Sequence, residues 1–263
     1  GANANDGTGT NAGHVRVYQY ANSVWTQLGN DIDGEAAGDQ YGFVVSLSND
    51  GTMLAITAYA SPGGGNGRGS VRVFKWRQFT QEDHDNSSYH YTSTIRDGTQ
   101  TKFLIATENI TTAPVVGTYY WTQVGSDFDG VADSDYFGWH LSLSGDGSKL
   151  AIGGPWNDND VGNNAGHVRV YKLSEETAAY FVPKALTTDV VNPTQIKLDQ
   201  NSVDGGDIII CEKNQNKISR IPFDENNYGN KIVILEGLNQ PTSFDIDNDN
   251  NLILSAAHPS PFS

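Results

Sequence analysis

Cysteine, methionine, basic side chains and long apolar runs are all scarce in this 263-residue chain. The one cysteine, Cys211, cannot form an internal bridge, and with no Cys-x-x-Cys or Cys/His array a disulfide scaffold and a structural zinc are excluded. Sixteen Lys and Arg against 31 Asp and Glu give a formal net charge of -15, which repels a phosphate backbone and makes nucleic acid an unsuitable partner. Apolar runs such as Ile208 to Cys211 are strand-sized, far below the roughly 18 residues of a membrane span, so no membrane insertion is expected. No basic, apolar leader opens the sequence. Helix has one candidate, Ser174 to Phe181, whose glutamates and alanines suit a turn or two before Pro183.

What is abundant is turn chemistry. Twenty-nine Gly with many Asn and Asp suit short strands joined by tight turns, because such turns need residues that tolerate positive φ. Internal repetition then organises the chain. NAGHVRVY at Asn11 to Tyr18 recurs unchanged at Asn164 to Tyr171, with the variant GSVRVF at Gly69 to Phe74. The segment from Trp25 to Ile56 matches that from Trp121 to Ile152 at 18 of 32 positions without a gap.

Each unit reads as period-two strands. Phe43 to Ser48 and Met53 to Ala58 flank Asn49-Asp50-Gly51, and Leu141 to Ser144 and Lys149 to Gly153 flank Gly145-Asp146-Gly147, both hairpins with an Asp-Gly turn. Val71 to Trp76 and Val168 to Leu173 supply a third strand, and the Trp25 and Trp121 segments a shorter fourth. The expected fold class is all-β: a β-propeller, or part of one, of four-stranded antiparallel blades. Gly69 to Gly166 spans 97 residues where Gly13 to Gly69 spans 56, so about 41 extra residues near 77–117 form an inserted loop region or a decayed blade. Gly1-Ala2 aligns with Gly154-Pro155, so the sequence opens inside a blade, as in a fragment of a longer array or a ring closed by pairing its two ends.

These residues resemble the FG-GAP repeats of integrin-type propellers over residues 1–173. Phe137-Gly138 stands at the Phe-Gly, Gly153-Gly154-Pro155 near the Gly-Ala-Pro, and Tyr41-Gly42 and Thr57-Ala58-Tyr59 are eroded equivalents. The resemblance implies a calcium loop of spaced aspartates between the first two strands, but that place holds only SNDG and SGDG. Residues 185–263 resemble NHL-type propeller blades through Asn192-Pro193-Thr194, Asn216-Lys217-Ile218 and Gln240-Pro241-Thr242.

Two acidic loops place carboxylates at hard-cation spacing: Asp31, Asp33, Glu35 and Asp39, and Asp127, Asp129, Asp133 and Asp135. Calcium is the cofactor they suit, although Asp-Gly turns require such residues for backbone reasons alone. Asp245, Asp247 and Asp249, and Asn157 to Asp160, read as turns. Asn86 and Asn109 sit in glycosylation sequons inside the insertion. Trp25, Trp121, Trp139 and Trp156, with Tyr41 and Tyr136, are candidates for a sugar-stacking face. The repeated Trp25 and Trp121 read as packing, whereas Trp139 and Trp156 remain candidate ligand contacts. His14 and His167 share a repeat position and read as structural, and His140 reads as a blade-face position.

No nucleophile with an adjacent base is visible, and Glu212 is the one carboxylate near a plausible inner strand of the NHL-like part. The resemblance therefore implies a non-enzymatic, extracellular or cell-surface recognition or adhesion module binding protein or glycan. Two alternatives stand beside it: a self-associating structural subunit of an extracellular filament or coat, and a metal-dependent propeller hydrolase or lyase.

Overall fold

In a computed structural model the described residues are 1–61, 67–81, 83, 90–91, 104–105, 114–125, 127–158, 164–174, 180–185, 193–199, 207–224, 227–228, 231–246 and 252–256. The alternation read from the sequence becomes antiparallel sheets whose order follows the repeat. In blade I, β1 (His14–Val15) and β2 (Tyr18–Ala21) are two parts of one strand line, pairing with β4 (Ile32–Asp33) and β3 (Val24–Gln27) respectively. The β2–β3 turn is Asn22-Ser23, both at positive φ, the geometry a two-residue hairpin requires.

Blade II runs β5 (Val45–Leu47), β6 (Met53–Ala58) and β7 (Ser70–Gln78). The insertion follows, with β8 (His90–Tyr91) and β9 (Leu104–Ile105), and then β10 (Tyr119–Gln123) and β11 (Phe128–Asp129) both return to β7. By register, β1 and β2 correspond to β7, and β3 and β4 to β10 and β11. Among the described residues, blade I holds third and fourth strands.

Blade III is the four-stranded sheet β12 (His140–Leu143), β13 (Lys149–Gly154), β14 (His167–Ser174) and β15 (Tyr180–Ala185). Blade IV repeats that order with β16 (Pro193–Asp199), β17 (Asp207–Glu212) and β18 (Lys217–Ile221), then a side hairpin of β19 (Phe223–Asp224) and β20 (Asn227–Tyr228), then β21 (Ile232–Leu235). Blade V has a first and second strand, β22 (Pro241–Ile246) and β23 (Leu252–Ala256). Of the candidate helix, Ser174 closes β14 and Tyr180 and Phe181 open β15, and residues 175–179 lie outside the described residues. Pro183 is tolerated because β15 is an edge strand.

Every core cluster joins two consecutive blades. Ile32, Tyr41, Ile56, Phe74 and Trp121 pack blade I on II; Val73, Phe137, Leu143, Leu150 and Ile152 pack II on III; Val170, Ile196, Leu198 and Ile210 pack III on IV; Ile209, Cys211, Ile218 and Phe244 pack IV on V. Burying each such side chain contributes about 1.5–3 kcal/mol, so a blade is held mainly by its neighbours. A hydrogen-bond latch accompanies each contact between inner strands. Leu143 N donates to Ser46 Oγ (3.1 Å), Leu198 N to Ser142 Oγ (3.0 Å), and Phe244 N to Gln195 Oε1. Ser46 and Ser142 are the same repeat position, 96 residues apart.

The Phe-Gly glycine has a steric reason. Gly42 and Gly138 adopt φ of 86° and 90°, and a Cβ on Gly138 would lie 2.9 Å from Val71 Cγ2.

Candidate functional site

The acidic loops are built from one repeated device. Gln27 Nε2 donates to Asp31 Oδ1 (2.8 Å) and Gly29 O (3.2 Å), and Gln123 Nε2 does the same to Asp127 Oδ1 (2.8 Å) and Gly125 O (3.2 Å). The arginines of two Val-Arg-Val strands complete it: Arg16 is bidentate on Asp31, and Arg72 Nε reaches Asp127 at 3.2 Å. The Arg16 hydrogen bond holds the Asp31 carboxyl below its usual range. Asp39 and Asp135 each accept two backbone N–H bonds from their own loop, Asp39 from Glu35 and Ala36, Asp135 from Val131 and Ala132. Asp133 pairs with Arg68. Glu35 reaches across to Arg72 at 2.6 Å, and that guanidinium lies 5.2 Å over the Tyr41 ring, whose phenol burial pushes up.

Of the eight carboxylates proposed for a cation, the structure gathers Asp31 and Asp33 with His14, their ligand atoms all within 4.8 Å of one another. Asp129 is exposed on the equivalent strand, opposite Ser70 instead of a histidine. The collapsed calcium loops are closed turns: Ser48 Oγ, Thr52 N and Thr52 Oγ all donate to Asp50, and Ser144, Ser148 N and Ser148 Oγ do so to Asp146. The Ser48 bond is the main cause of the lowered Asp50 pKa. Asn86 and Asn109 lie outside the described residues, as do Asp247 and Asp249.

The aromatic candidates divide differently from the sequence reading. Trp139 and Trp156 come together with ring centroids 5.0 Å apart, and Tyr136 joins them at 6.1 and 4.8 Å. Blade II adds Phe43, 5.3 Å from Trp139, and Tyr59, 5.1 Å from Trp139 and 4.3 Å from Phe43. Five rings, none fully buried, thus cover the end where inner strands begin. Tyr41 belongs to the core instead, under Arg72. Phe43 and Tyr59 were not anticipated, yet Phe43 is the repeat mate of Trp139, so aromaticity at that position recurs. Loop residues 62–66 precede Gly67, which sits against Tyr136.

Two buried polar features lie at the same ends of the strands. His140 and His167 flank β13 at Gly153 and Gly154, and desolvation lowers each pKa to about 4. In blade IV, Glu212 is 0% exposed; Ser219 Oγ donates to it at 2.6 Å and Lys231 Nζ at 3.1 Å, with Lys217 at 3.9 Å.

Residues 121–171 match the FG-GAP repeat. The match runs from β10 through β14, so the sequence repeat is out of phase with the blade and links two of them. It does not extend to residues 185–263. No curated protein matches the chain. Among solved structures the chain is similar to the periplasmic gluconolactonase PpgL of Pseudomonas aeruginosa, at 12% identity and a TM-score of 0.45, over 94% of this chain and 65% of that one. The chain thus spans less than two thirds of that structure's length.

The non-enzymatic expectation is corrected at this point. That structure is named as a gluconolactonase, an enzyme, and the expectation that the chain is not one is withdrawn. The partners of Glu212, not evident in the sequence, are Ser219 and two lysines. At 12% identity and a TM-score of 0.45, no residue role transfers with it.

Proposed function

We propose that this chain is an extracellular propeller module that recognises a glycan at the aromatic end of blades II and III. The observation that carries this reading is the gathering of Phe43, Tyr59, Tyr136, Trp139 and Trp156 from two successive blades into one half-exposed surface. Sugars stack their apolar faces on such rings, while the indole and phenol polar atoms hydrogen-bond the hydroxyls. The FG-GAP match at 121–171 covers the strands that position Trp139 and Trp156 and supports the extracellular placement. Among the described residues no helix is long and apolar enough to cross a membrane.

A glycan array followed by tryptophan-fluorescence titration tests it. Trp139→Ala and Trp156→Ala should each weaken binding of the best array hit by at least about tenfold, as loss of an aromatic anchor does, and Trp25→Ala should leave it unchanged. A hit whose affinity ignores both substitutions places recognition elsewhere.

A metal-dependent hydrolase or lyase is the second reading, favoured by His14, Asp31 and Asp33. One imidazole and two carboxylates form a donor set for zinc or manganese. Their fit is poor, because Asp31 already accepts from Arg16 and Gln27 through both oxygens. Calorimetric titration with zinc, paired with a lactone and ester hydrolysis panel, decides it: micromolar binding lost in His14→Ala, together with turnover, would establish the reading.

A further inference from the structure

The rings at the aromatic end meet at steep angles. Trp139 stands at 87° to both Tyr59 and Tyr136 and at 70° to Trp156, and Tyr136 stands at 73° to Trp156. Phe43 is tilted by 45° to Tyr59 and by 50° to Trp139. Tyr59 and Tyr136 are near parallel, at 29°, with centroids 6.1 Å apart. Edge-to-face packing of this kind is an arrangement that aromatic quadrupoles favour, and it fixes what the surface offers a ligand.

A platform on which several sugars of an extended chain, or of a polysaccharide sheet, lie at once needs neighbouring rings in one plane. Here a pyranose stacked on one ring meets the next ring edge-on. Nor does a sugar fit between the parallel tyrosines, because an inserted ring needs roughly 3.5–4 Å on each side and their centroids are 6.1 Å apart. The patch is short as well. All the other rings have centroids within 6.1 Å of Trp139, a cluster around one tryptophan instead of a row. A pyranose covers about one aromatic ring, which leaves room for about two sugar units.

Charge narrows the ligand further. Arg68, next to the Gly67 that faces Tyr136, is paired with Asp133 at 3.3 Å. His140 and His167 are neutral near neutral pH, because desolvation lowers both pKa values to about 4. Tyr59 OH donates to Gln40 Oε1 at 2.8 Å, so the side chain tied directly to the rings is an uncharged amide. Asp158, two residues after Trp156, is exposed. The chain as a whole carries a net charge of -15, and its field repels a uronate or a sulfate.

Granted that the aromatic end binds a glycan, on which this step rests, we infer that its ligand is the neutral terminus of a soluble glycan, about two pyranose units long. A polyanionic chain and the flat face of an insoluble polysaccharide are the classes it rejects.

Tryptophan-fluorescence titration of the full chain tests it, with neutral oligosaccharides of one to six units from cellulose, mannan and chitin, and with heparin and polygalacturonate as polyanions. Affinity should rise from one unit to two and then stay within about twofold up to six, because added units reach no further ring. Both polyanions should bind at least about tenfold more weakly than the two-unit sugar. Trp139→Ala and Trp156→Ala should each weaken two-unit binding by at least about tenfold, read from whichever variant keeps the parent's circular dichroism. Cosedimentation with insoluble cellulose or chitin should be no greater for the parent than for these variants. Three results, each abolished by the same substitutions, overturn the inference and leave the glycan reading standing: affinity that climbs with every unit to six, retention on an insoluble polymer, or a polyanion bound as tightly as the neutral sugar. Binding of no oligosaccharide, or binding indifferent to both substitutions, overturns the two together.

Discussion

Trp25 and Trp121 hold the same position in two repeats that share 18 of 32 residues, yet one is 67% exposed and the other 1%. Around Trp121 lie Trp76, Leu28 and Gly29, contributed by its own blade and by the blade before it. Trp25 has Tyr20 beside it, at 5.0 Å. The local sequence specifies the strand, and the neighbouring blade decides whether its face is buried. This is the nearest-neighbour logic of repeat proteins, in which interface terms supply most of the stability.

The two tryptophans should therefore part company on substitution. Trp121→Ala should cost about 3–5 kcal/mol in urea unfolding, the range for truncating a large buried aromatic. Equal losses for Trp25→Ala in dilute solution would break the comparison. A second effect separates repeat positions by charge. His140 and His167 have pKa values near 4, against about 6.5 when unfolded. Above pH 6.5 both states are neutral and nothing is lost. Between pH 6.5 and 4 the unfolded chain takes up protons that the folded chain refuses, so stability falls as pH falls, by up to about 3 kcal/mol per histidine. His140→Val and His167→Ser, which install the residues that Val44 and Ser70 provide in the other copy, should flatten that slope. An unchanged slope in the double variant would move the cause elsewhere.

The latches sharpen the contrast further. Ser142→Ala leaves the Leu198 N–H buried without a partner and should cost about 1–3 kcal/mol. Ser46→Ala, at a partly exposed interface, should cost less in the same melt. The smallest effect belongs to Trp25→Ala itself, within about 0.5 kcal/mol, as for other surface substitutions.

The repeat period and the Asp-Gly hairpins were readable from spacing, because each depends on residues close in sequence. Ser48 with Asp50 and Ser144 with Asp146 close their turns within a few residues. The aromatic end was half readable. Trp139 and Trp156 were identifiable as candidates, but their partners Phe43 and Tyr59 come from another blade, and no local pattern places them there. The 96-residue equivalence of Phe43 and Trp139 was the available signal. In the acidic loops carboxylate spacing suited a cation, and Arg16 and Arg72, one strand away and not readable from that spacing, pair with Asp31 and Asp127. The pairing of β14 with β15 was not readable from local propensity, because it joins segments on either side of residues 175–179.

Hydroxyl-radical footprinting of both tryptophans tests most directly whether neighbours, rather than the repeat itself, bury a blade. The expected result is Trp121 protected and Trp25 oxidised rapidly. Equal oxidation of the two, or full protection of Trp25, would contradict the account.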